Sequence, residues 1–391
     1  MSAAEVISLG CRLNLSESEQ IRALLGEERD VVVVNSCAVT SEAVRQTRQA
    51  IRKARRAKPG ARLLVTGCAA DIEREQLAAM PEVDGLVANT AKLDPRAWNV
   101  PAAPLPVPAE HTRAFIAVQN GCDHACTFCV IPQGRGTSRS LTIPQVLAEA
   151  ERHLAAGAPE IVLTGVDVTS WGHDLPGTPP LGALVKAILD TFPEVRRLRM
   201  SSLDGIEIDP LLFDLFTGEE RMMPHIHLSL QHGHDLILKR MKRRHSRSDA
   251  VGLVTRMKAK RPDIAVGADL IAGFPTESGE HHEANLSIIR ELEIVHGHIF
   301  PYSPRPGTPA ARMPQLDRST IKARAAGLRA EVTKLRADWL ATLVDKPLQV
   351  LAEKDGTGYA PNFARVDVPC GISAGTIVTI TPSKLEDGLL S

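Results

Sequence analysis

The 391-residue chain has no net charge, because lysine plus arginine and aspartate plus glutamate each number 46. Taken whole, that balance argues against a large polyanionic partner. Aromatic residues are scarce, at 3%, which excludes an extended platform for stacking single-stranded bases. No apolar run approaches the ~18 residues of a membrane span; compact runs such as Val31 to Val34 are far shorter. The opening Met1-Ser-Ala-Ala-Glu5 lacks the basic-then-apolar order of a secretory signal, so the expectation is a cytoplasmic protein without a membrane partner. What is present is apolar material, at 43% hydrophobic residues. That excludes disorder and suffices for two or three cores in a chain of this length.

Seven cysteines, an odd number in a chain without an export signal, do not read as a disulfide framework. Three of them stand as Cys122-x3-Cys126-x2-Cys129. Three thiolates on one loop suit an iron–sulfur cluster that keeps one iron open. Zinc is the rival, with His124 or a distant cysteine as fourth ligand. Cys11, Cys37 and Cys68 are far apart, but each follows a short apolar run: Glu5 to Gly10, Val31 to Ser36 and Leu63 to Gly67. Each run reads as a buried parallel strand, and helical stretches follow, as over Ser16 to Leu25 and Thr40 to Ala57. Cysteines at the carboxyl ends of parallel strands converge where α/β sheets build their sites. The plainer alternative is three core thiols. Cys370 has no such setting.

Prolines at 101, 104, 106 and 108 mark a stiff linker over 99–112. It follows an N-terminal parallel α/β domain (1–98) and precedes a second alternating region (113–344). There the strand-like runs are Phe115 to Val118, Ile161 to Leu163, Leu198 to Met200, Ile226 to Leu230, Ile264 to Ile271 and Val295 to Phe300, with helical stretches between. One helix is well marked, by Thr142 and Gln145 at its start and Gly157 at its end. Six alternations predict an α/β fold with a partial (βα)6 barrel, a full one having eight. The three-cysteine loop follows the first strand and so falls on the carboxyl face. A long helix from Arg318 to about Val344 carries an apolar stripe of Ile321, Ala325, Leu328, Val332, Leu335 and Trp339. Short β-rich runs over 345–391 predict a small antiparallel β barrel.

The neutral total conceals segregation. From Arg45 to Arg62 there are eight cations and no acid, and from Lys239 to Arg261 ten cations and one acid, Asp249. Val44, Ile51 and Ala54 would face the core and leave the first block outward. Such blocks are the footprint of phosphate-backbone binding, and a folded RNA fits better than a single strand. The plain alternative is a solvated, ion-paired face. Histidines such as His232, His234, His296 and His298 read as core or surface residues.

Cys122-Asp-His-Ala-Cys126-Thr-Phe-Cys129 resembles the CxxxCxxC signature of radical S-adenosylmethionine enzymes. Its flanks, Val118-Gln-Asn-Gly-Cys122 and Ile131-Pro-Gln-Gly-Arg135-Gly-Thr-Ser-Arg139-Ser, narrow the resemblance to the methylthiotransferases. Their N-terminal three-cysteine domain is matched by Leu9-Gly-Cys11-Arg-Leu-Asn14, Asn35-Ser-Cys37-Ala-Val-Thr40 and Thr66-Gly-Cys68-Ala-Ala70. The C-terminal unit, with Asn362-Phe-Ala-Arg-Val366, is similar to the RNA-binding TRAM domain of that family. Leu228-Ser-Leu-Gln-His-Gly233, Ala268-Asp-Leu-Ile-Ala-Gly-Phe-Pro-Thr-Glu277 and Phe300-Pro-Tyr-Ser-Pro-Arg-Pro-Gly-Thr308 look most like the branch acting on threonylcarbamoyladenosine 37 of tRNA.

The resemblance implies two [4Fe–4S] clusters, one on Cys122, Cys126 and Cys129 that chelates S-adenosylmethionine, the other on Cys11, Cys37 and Cys68. No side chain is implied as catalytic, the chemistry residing in the cofactors. Phe128 is placed to pack on the adenine, Gly165 to let backbone approach the methionine amino group, and Ser201 and Ser202 to line the same face. Arg135, Arg139 and Arg305 are candidates for substrate or phosphate contacts, with structural ion pairs as the alternative. Implied partners are the anticodon loop of tRNA and an electron donor such as a flavodoxin or ferredoxin. The rival readings are an enzyme acting on isopentenyladenosine 37 or a ribosomal protein aspartate, and a zinc-bearing, noncatalytic RNA-binding protein.

Overall fold

Val31–Ser36 and Arg62–Gly67 are apolar on both faces and buried along nearly their whole length, as parallel strands covered by helices must be. With Glu5–Ser8 and Gly85–Leu86 they form a four-stranded parallel sheet in sequence order. Ser8 lies opposite Asn35 and Ser36 opposite Gly67, so the three long strands end at one level. The helix Ser41–Ala57 starts where the Thr40 hydroxyl accepts a hydrogen bond from the Ala43 backbone N–H at 3.1 Å. It buries Val44, Ile51 and Ala54, the face its periodicity marks. One side of the sheet packs Val32, Val34, Ile51, Val65 and Leu77; the other packs Ile21, Val33, Leu64 and Trp98.

The structure is a computed structural model describing residues 4–26, 30–101 and 112–391, so most of the linker expected over 99–112 lies outside the described residues. The chain divides into two units, each gathered from separate stretches. The first comprises Met1–Ala109, Gln119–Arg139 and Ser303–Ala311; the second comprises Glu110–Val118, Ser140–Tyr302 and Arg312–Ser391.

The second unit contains all six alternating strands that the sequence marks. Ala114–Ala117, Ile161–Thr164 and Leu198–Met200 form one parallel sheet, and His225–Gln231, Ala265–Ala272 and Ile294–Pro301 another. A bridge from Leu203 to Leu228 joins them in sequence order. The helix Ile143–Ala155 begins with the Thr142 backbone N–H donating to Gln145 Oε1 at 2.9 Å and ends before Gly157, at φ +85°. The long helix Arg318–Ala341 buries Ala325, Leu328, Val332 and Leu340.

After it comes a six-stranded sheet, Leu348–Ala352 to Leu389–Leu390. Its pairings are antiparallel except that Arg365–Asp367 runs parallel to Leu389–Leu390. Phe363 ties this sheet to the parallel strands. Its ring stacks on His225 at 5.0 Å and on Tyr359 at 4.7 Å, with the Arg199 guanidinium 4.7 Å from the ring centroid. Arg197 adds hydrogen bonds to the carbonyls of Tyr359 and Gln349, at 3.1 and 2.5 Å. Among the described residues, no helix is long and apolar enough to cross a membrane.

Candidate metal centres

The turns that end the three N-terminal strands bring their cysteines together. Gly10 takes φ +92° and delivers Cys11 to the start of the helix Arg12–Leu25; Gly67 takes φ +89° and delivers Cys68 to the start of Cys68–Ile72. Cys37 and Cys68 are buried and Cys11 is exposed. Burial pushes the Cys37 thiol up to about 11; the Val39 N–H opposes the shift, and the neighbouring Cys11 and Cys68 add to it. Burial also raises the Cys68 thiol. Asn89 Nδ2 lies 3.8 Å from Cys68 Sγ.

Cys122, Cys126 and Cys129 are half-buried on one loop of the same unit. Gly121, at φ +77°, starts the loop, and a Cβ there would lie 1.9 Å from the Thr137 carbonyl oxygen. The backbone N–H groups of His124 and Ile131 donate to Cys122 Sγ and Cys129 Sγ, each at 3.4 Å. N–H···S bonds of this kind stabilise thiolate ligands of iron–sulfur clusters and tune their potentials. Two sets of three thiols, one supported by loop N–H groups and the other by a side-chain amide, fit two such clusters. Phe128 is half-buried on the loop between two of the thiols.

Beneath both sets lies a polar network. Arg135 ends the short helix that follows Cys129, and Glu17 lies in the helix that follows Cys11. They pair in two parallel hydrogen bonds, Nη1–Oε1 and Nη2–Oε2, both 2.9 Å. Arg135 also donates to Asn14 Oδ1 at 2.5 Å and to Asn120 Oδ1 at 2.9 Å. Lys92 Nζ is 2.5 Å from Glu17 Oε2 and 3.4 Å from Asn35 Oδ1. Burial pushes the Glu17 carboxyl up, but Lys92 and Arg135 more than reverse this and hold it low. Glu17 and Lys92 went unread in the sequence. The one signal pointing to the network was an asparagine in three cysteine motifs: Asn14, Asn35 and Asn120.

Gly165, Ser201 and Ser202 belong to the second unit, just past the ends of the adjacent strands Ile161–Thr164 and Leu198–Met200. The Ser201 hydroxyl is buried without a hydrogen-bond partner among the described residues, whereas Ser202 Oγ donates to Asp269 Oδ2 at 3.4 Å. Asp269 Oδ1 also meets His227 Nε2 and His298 Nδ1, each at 3.1 Å. His232 is a core residue and His296 is half-buried, and burial pushes His296 down to about 3. His234 caps the helix Asp235–Arg240.

Most candidate cationic contacts are structural. Arg135 and Arg305 are buried, the latter 3.3 Å from Glu73, while Arg139 is exposed. In the first basic block, Arg45, Arg48, Arg52 and Arg55 pair with Glu42, Glu73, Glu82 and Asp84. In the second, Arg243, Arg244, Arg247, Lys258 and Lys260 pair with Asp204, Glu207, Glu291, Glu293 and Asp214. Except for Glu42, which shares the helix of Arg45, the acids come from other segments, so the segregation seen along the chain is largely cancelled in space.

The parallel α/β fold with an open three-cysteine loop defines a radical S-adenosylmethionine protein. The Radical SAM superfamily model matches residues 116–287, and the model described as "Uncharacterized protein family UPF0004" matches residues 3–88. The structure is similar to the radical S-adenosylmethionine methyltransferase TsrM of Kitasatospora setae, with TM-score 0.55 and 15% identity over 80% of this chain and 77% of that one. Among curated proteins, the chain is 41% identical to threonylcarbamoyladenosine tRNA methylthiotransferase MtaB of Rickettsia prowazekii, over 99% of this chain and 96% of that protein. It is 31% identical to the enzyme of that name in Bacillus subtilis, over 94% and 90%. It is also 31% identical to tRNA-2-methylthio-N(6)-dimethylallyladenosine synthase of Erythrobacter litoralis, over 98% and 96%. The chain belongs to the radical S-adenosylmethionine methylthiotransferase family, in the MtaB branch.

Proposed function

We propose that the chain is a tRNA methylthiotransferase that inserts a methylthio group at C2 of N6-threonylcarbamoyladenosine 37, using two [4Fe–4S] clusters and S-adenosylmethionine. The observation that carries this reading is the gathering of two three-thiol sets in one unit of a chain whose MtaB relatives match it over nearly its full length. Cys122, Cys126 and Cys129 would hold the cluster that binds S-adenosylmethionine, and Cys11, Cys37 and Cys68 the cluster that presents sulfur. Reductive cleavage of S-adenosylmethionine supplies a radical able to activate an aromatic carbon that has no acidic proton.

The protein's own part is to bind and orient. Phe128 would pack on the adenine, the backbone at Gly165 would meet the methionine amino group, and the hydroxyls of Ser201 and Ser202 would lie past the adjacent strand end, the former desolvated and unpaired among the described residues. The six parallel strands serve as a partial (βα)6 barrel and the terminal sheet as a TRAM-like unit, within domains 1–98, 113–344 and 345–391 joined by a linker over 99–112. The enzyme works in the cytoplasm, on the anticodon loop of tRNA, with electrons from a flavodoxin or ferredoxin.

Nucleoside mass spectrometry of tRNA from a deletion strain tests the substrate. Loss of 2-methylthio-N6-threonylcarbamoyladenosine, with the unthiolated nucleoside accumulating, is expected. Unchanged levels reject the reading, and loss of the isopentenyl derivative instead would move the chain to the neighbouring branch.

A further inference from the structure

Glu17, Lys92 and Arg135 form a charged group in the interior of the first unit, their side chains 1%, 1% and 3% exposed. Two cations share one carboxylate. Among the described residues, the other groups placed around these cations by hydrogen bonds are neutral amides of Asn14, Asn35 and Asn120, and the half-buried Asp71 carboxylate is a more distant counter-charge to Lys92. A surplus buried cation is costly unless something nearby is negative. The cysteine turns lie beside this group: a Cβ on Gly134, next to Arg135, would lie 3.3 Å from Cys68 Cβ, and Asn14, which Arg135 holds, donates to the Ser36 carbonyl beside Cys37 at 2.9 Å. Asn35, which Lys92 holds, stands two residues before Cys37.

We propose that Lys92 and Arg135 are positioning residues that compensate the negative charge of the cluster on Cys11, Cys37 and Cys68 and hold its reduction potential up, with Glu17 opposing them. This rests on the reading of those cysteines as cluster ligands. Three thiolates around a doubly positive [4Fe–4S] core leave one net negative charge, and one-electron reduction adds a second. A fixed cation therefore stabilises the reduced form more than the oxidised one, and net charge near a cluster sets its potential. The location reinforces the effect, because a low-dielectric interior screens little. Arg135 also reaches Asn120, two residues before Cys122, so the same side chain ties the loop of one thiol set to the helix that follows Cys11.

The test is an EPR-monitored redox titration of the reconstituted full-length protein, with iron counted per chain. Lys92→Met should shift the potential of this cluster to more negative values, Glu17→Gln should shift it to more positive ones, and Lys92→Arg should stay at the wild-type value. Opposite signs for two near-isosteric changes at one ion pair are not what a packing defect produces. Shifts of the same sign, or none, overturn the inference. If Lys92→Met does not load the cluster, Glu17→Gln decides alone, and a potential at or below wild type overturns the inference. The ligand reading fails separately, if Cys11→Ala leaves the signal of this cluster intact.

Discussion

Gly10 presses against Cys37: a Cβ on Gly10 would lie 2.6 Å from Cys37 Cβ and 2.7 Å from Cys37 Sγ. Gly10 also sits at φ +92°, where L side chains are strained. The turn that delivers Cys11 therefore works only because the preceding residue has no side chain. The conformation alone costs about 1–2 kcal/mol for a non-glycine residue, and the methyl group must also displace the Cys37 sulfur. Gly10→Ala is expected to lower thermal stability and reduce reconstituted iron from about eight atoms per chain towards about four. Cleavage of S-adenosylmethionine, which the proposed function assigns to the other thiol set, should persist. Full iron loading in the variant would show that the turn tolerates a side chain.

Both thiol sets and the six alternating strands were legible because their signals are local. A valine run, a small-residue turn and a cysteine occur within about ten residues, so no tertiary knowledge is needed to read them. Glu17 and Lys92 were not legible: each is an ordinary charged residue in sequence, and Glu17 meets Arg135 across 118 positions. In the basic blocks the ion-paired alternative is hidden for the same reason. Arg48, Arg52 and Arg55 stand among cations along the chain, but their acids, Glu73, Glu82 and Asp84, arrive from the next βα segment. Phe363, in the motif that resembles an RNA-binding module, is packed against His225 and Arg199, so its ring serves attachment of the terminal sheet.

Among the described residues, Glu160 is the acid that pairs with Arg199 at 2.9 Å and Arg197 at 3.7 Å in a buried group. Burial pushes its carboxyl up, but the arginines outweigh this and keep it ionised. Glu160→Gln leaves two guanidinium groups without an anion in the core of the second unit. Loss of one partner of a buried pair costs about 3–5 kcal/mol. The denaturant midpoint of the variant should fall accordingly, and a midpoint at the wild-type value would refute the account. Since Arg197 also holds the carbonyls of Gln349 and Tyr359, near-ultraviolet signals from Tyr359 should change with the loss.

Asp204 links acid stability to the second basic block. Burial would raise its pKa, but His245, Arg243 and Arg244 lower it to about 2. The unfolded chain titrates this group near 3.8, so the folded state binds its proton less readily. The contribution is present above about pH 4 and is lost as pH falls towards about 2, because the unfolded chain takes up the proton first. A shift of nearly two units corresponds to about 2 kcal/mol. Asp204→Asn should reduce stability near neutrality by about that amount and flatten the unfolding profile between about pH 4 and pH 2. An unchanged acid limb would mean that Asp204 does not carry it.

Pairing of the basic blocks narrows the RNA contacts to the cations left outward. Lys239 and Lys242 are exposed, whereas Arg55 is committed to the carbonyls of Ala61 and Glu82 and to Asp84. A cation that neutralises a phosphate contributes about one unit to the logarithmic salt dependence of binding. Replacing Lys239 and Lys242 together by Gln should weaken tRNA binding and reduce the salt slope by about 2, with no loss of thermal stability. Glutamine keeps the polar surface, and Lys242, at φ +57°, is spared a β-branched replacement. Arg55→Gln should show the converse, lower stability with the slope unchanged. A reduced slope for Arg55→Gln and none for the lysines would return the RNA-binding face to the N-terminal helix Ser41–Ala57.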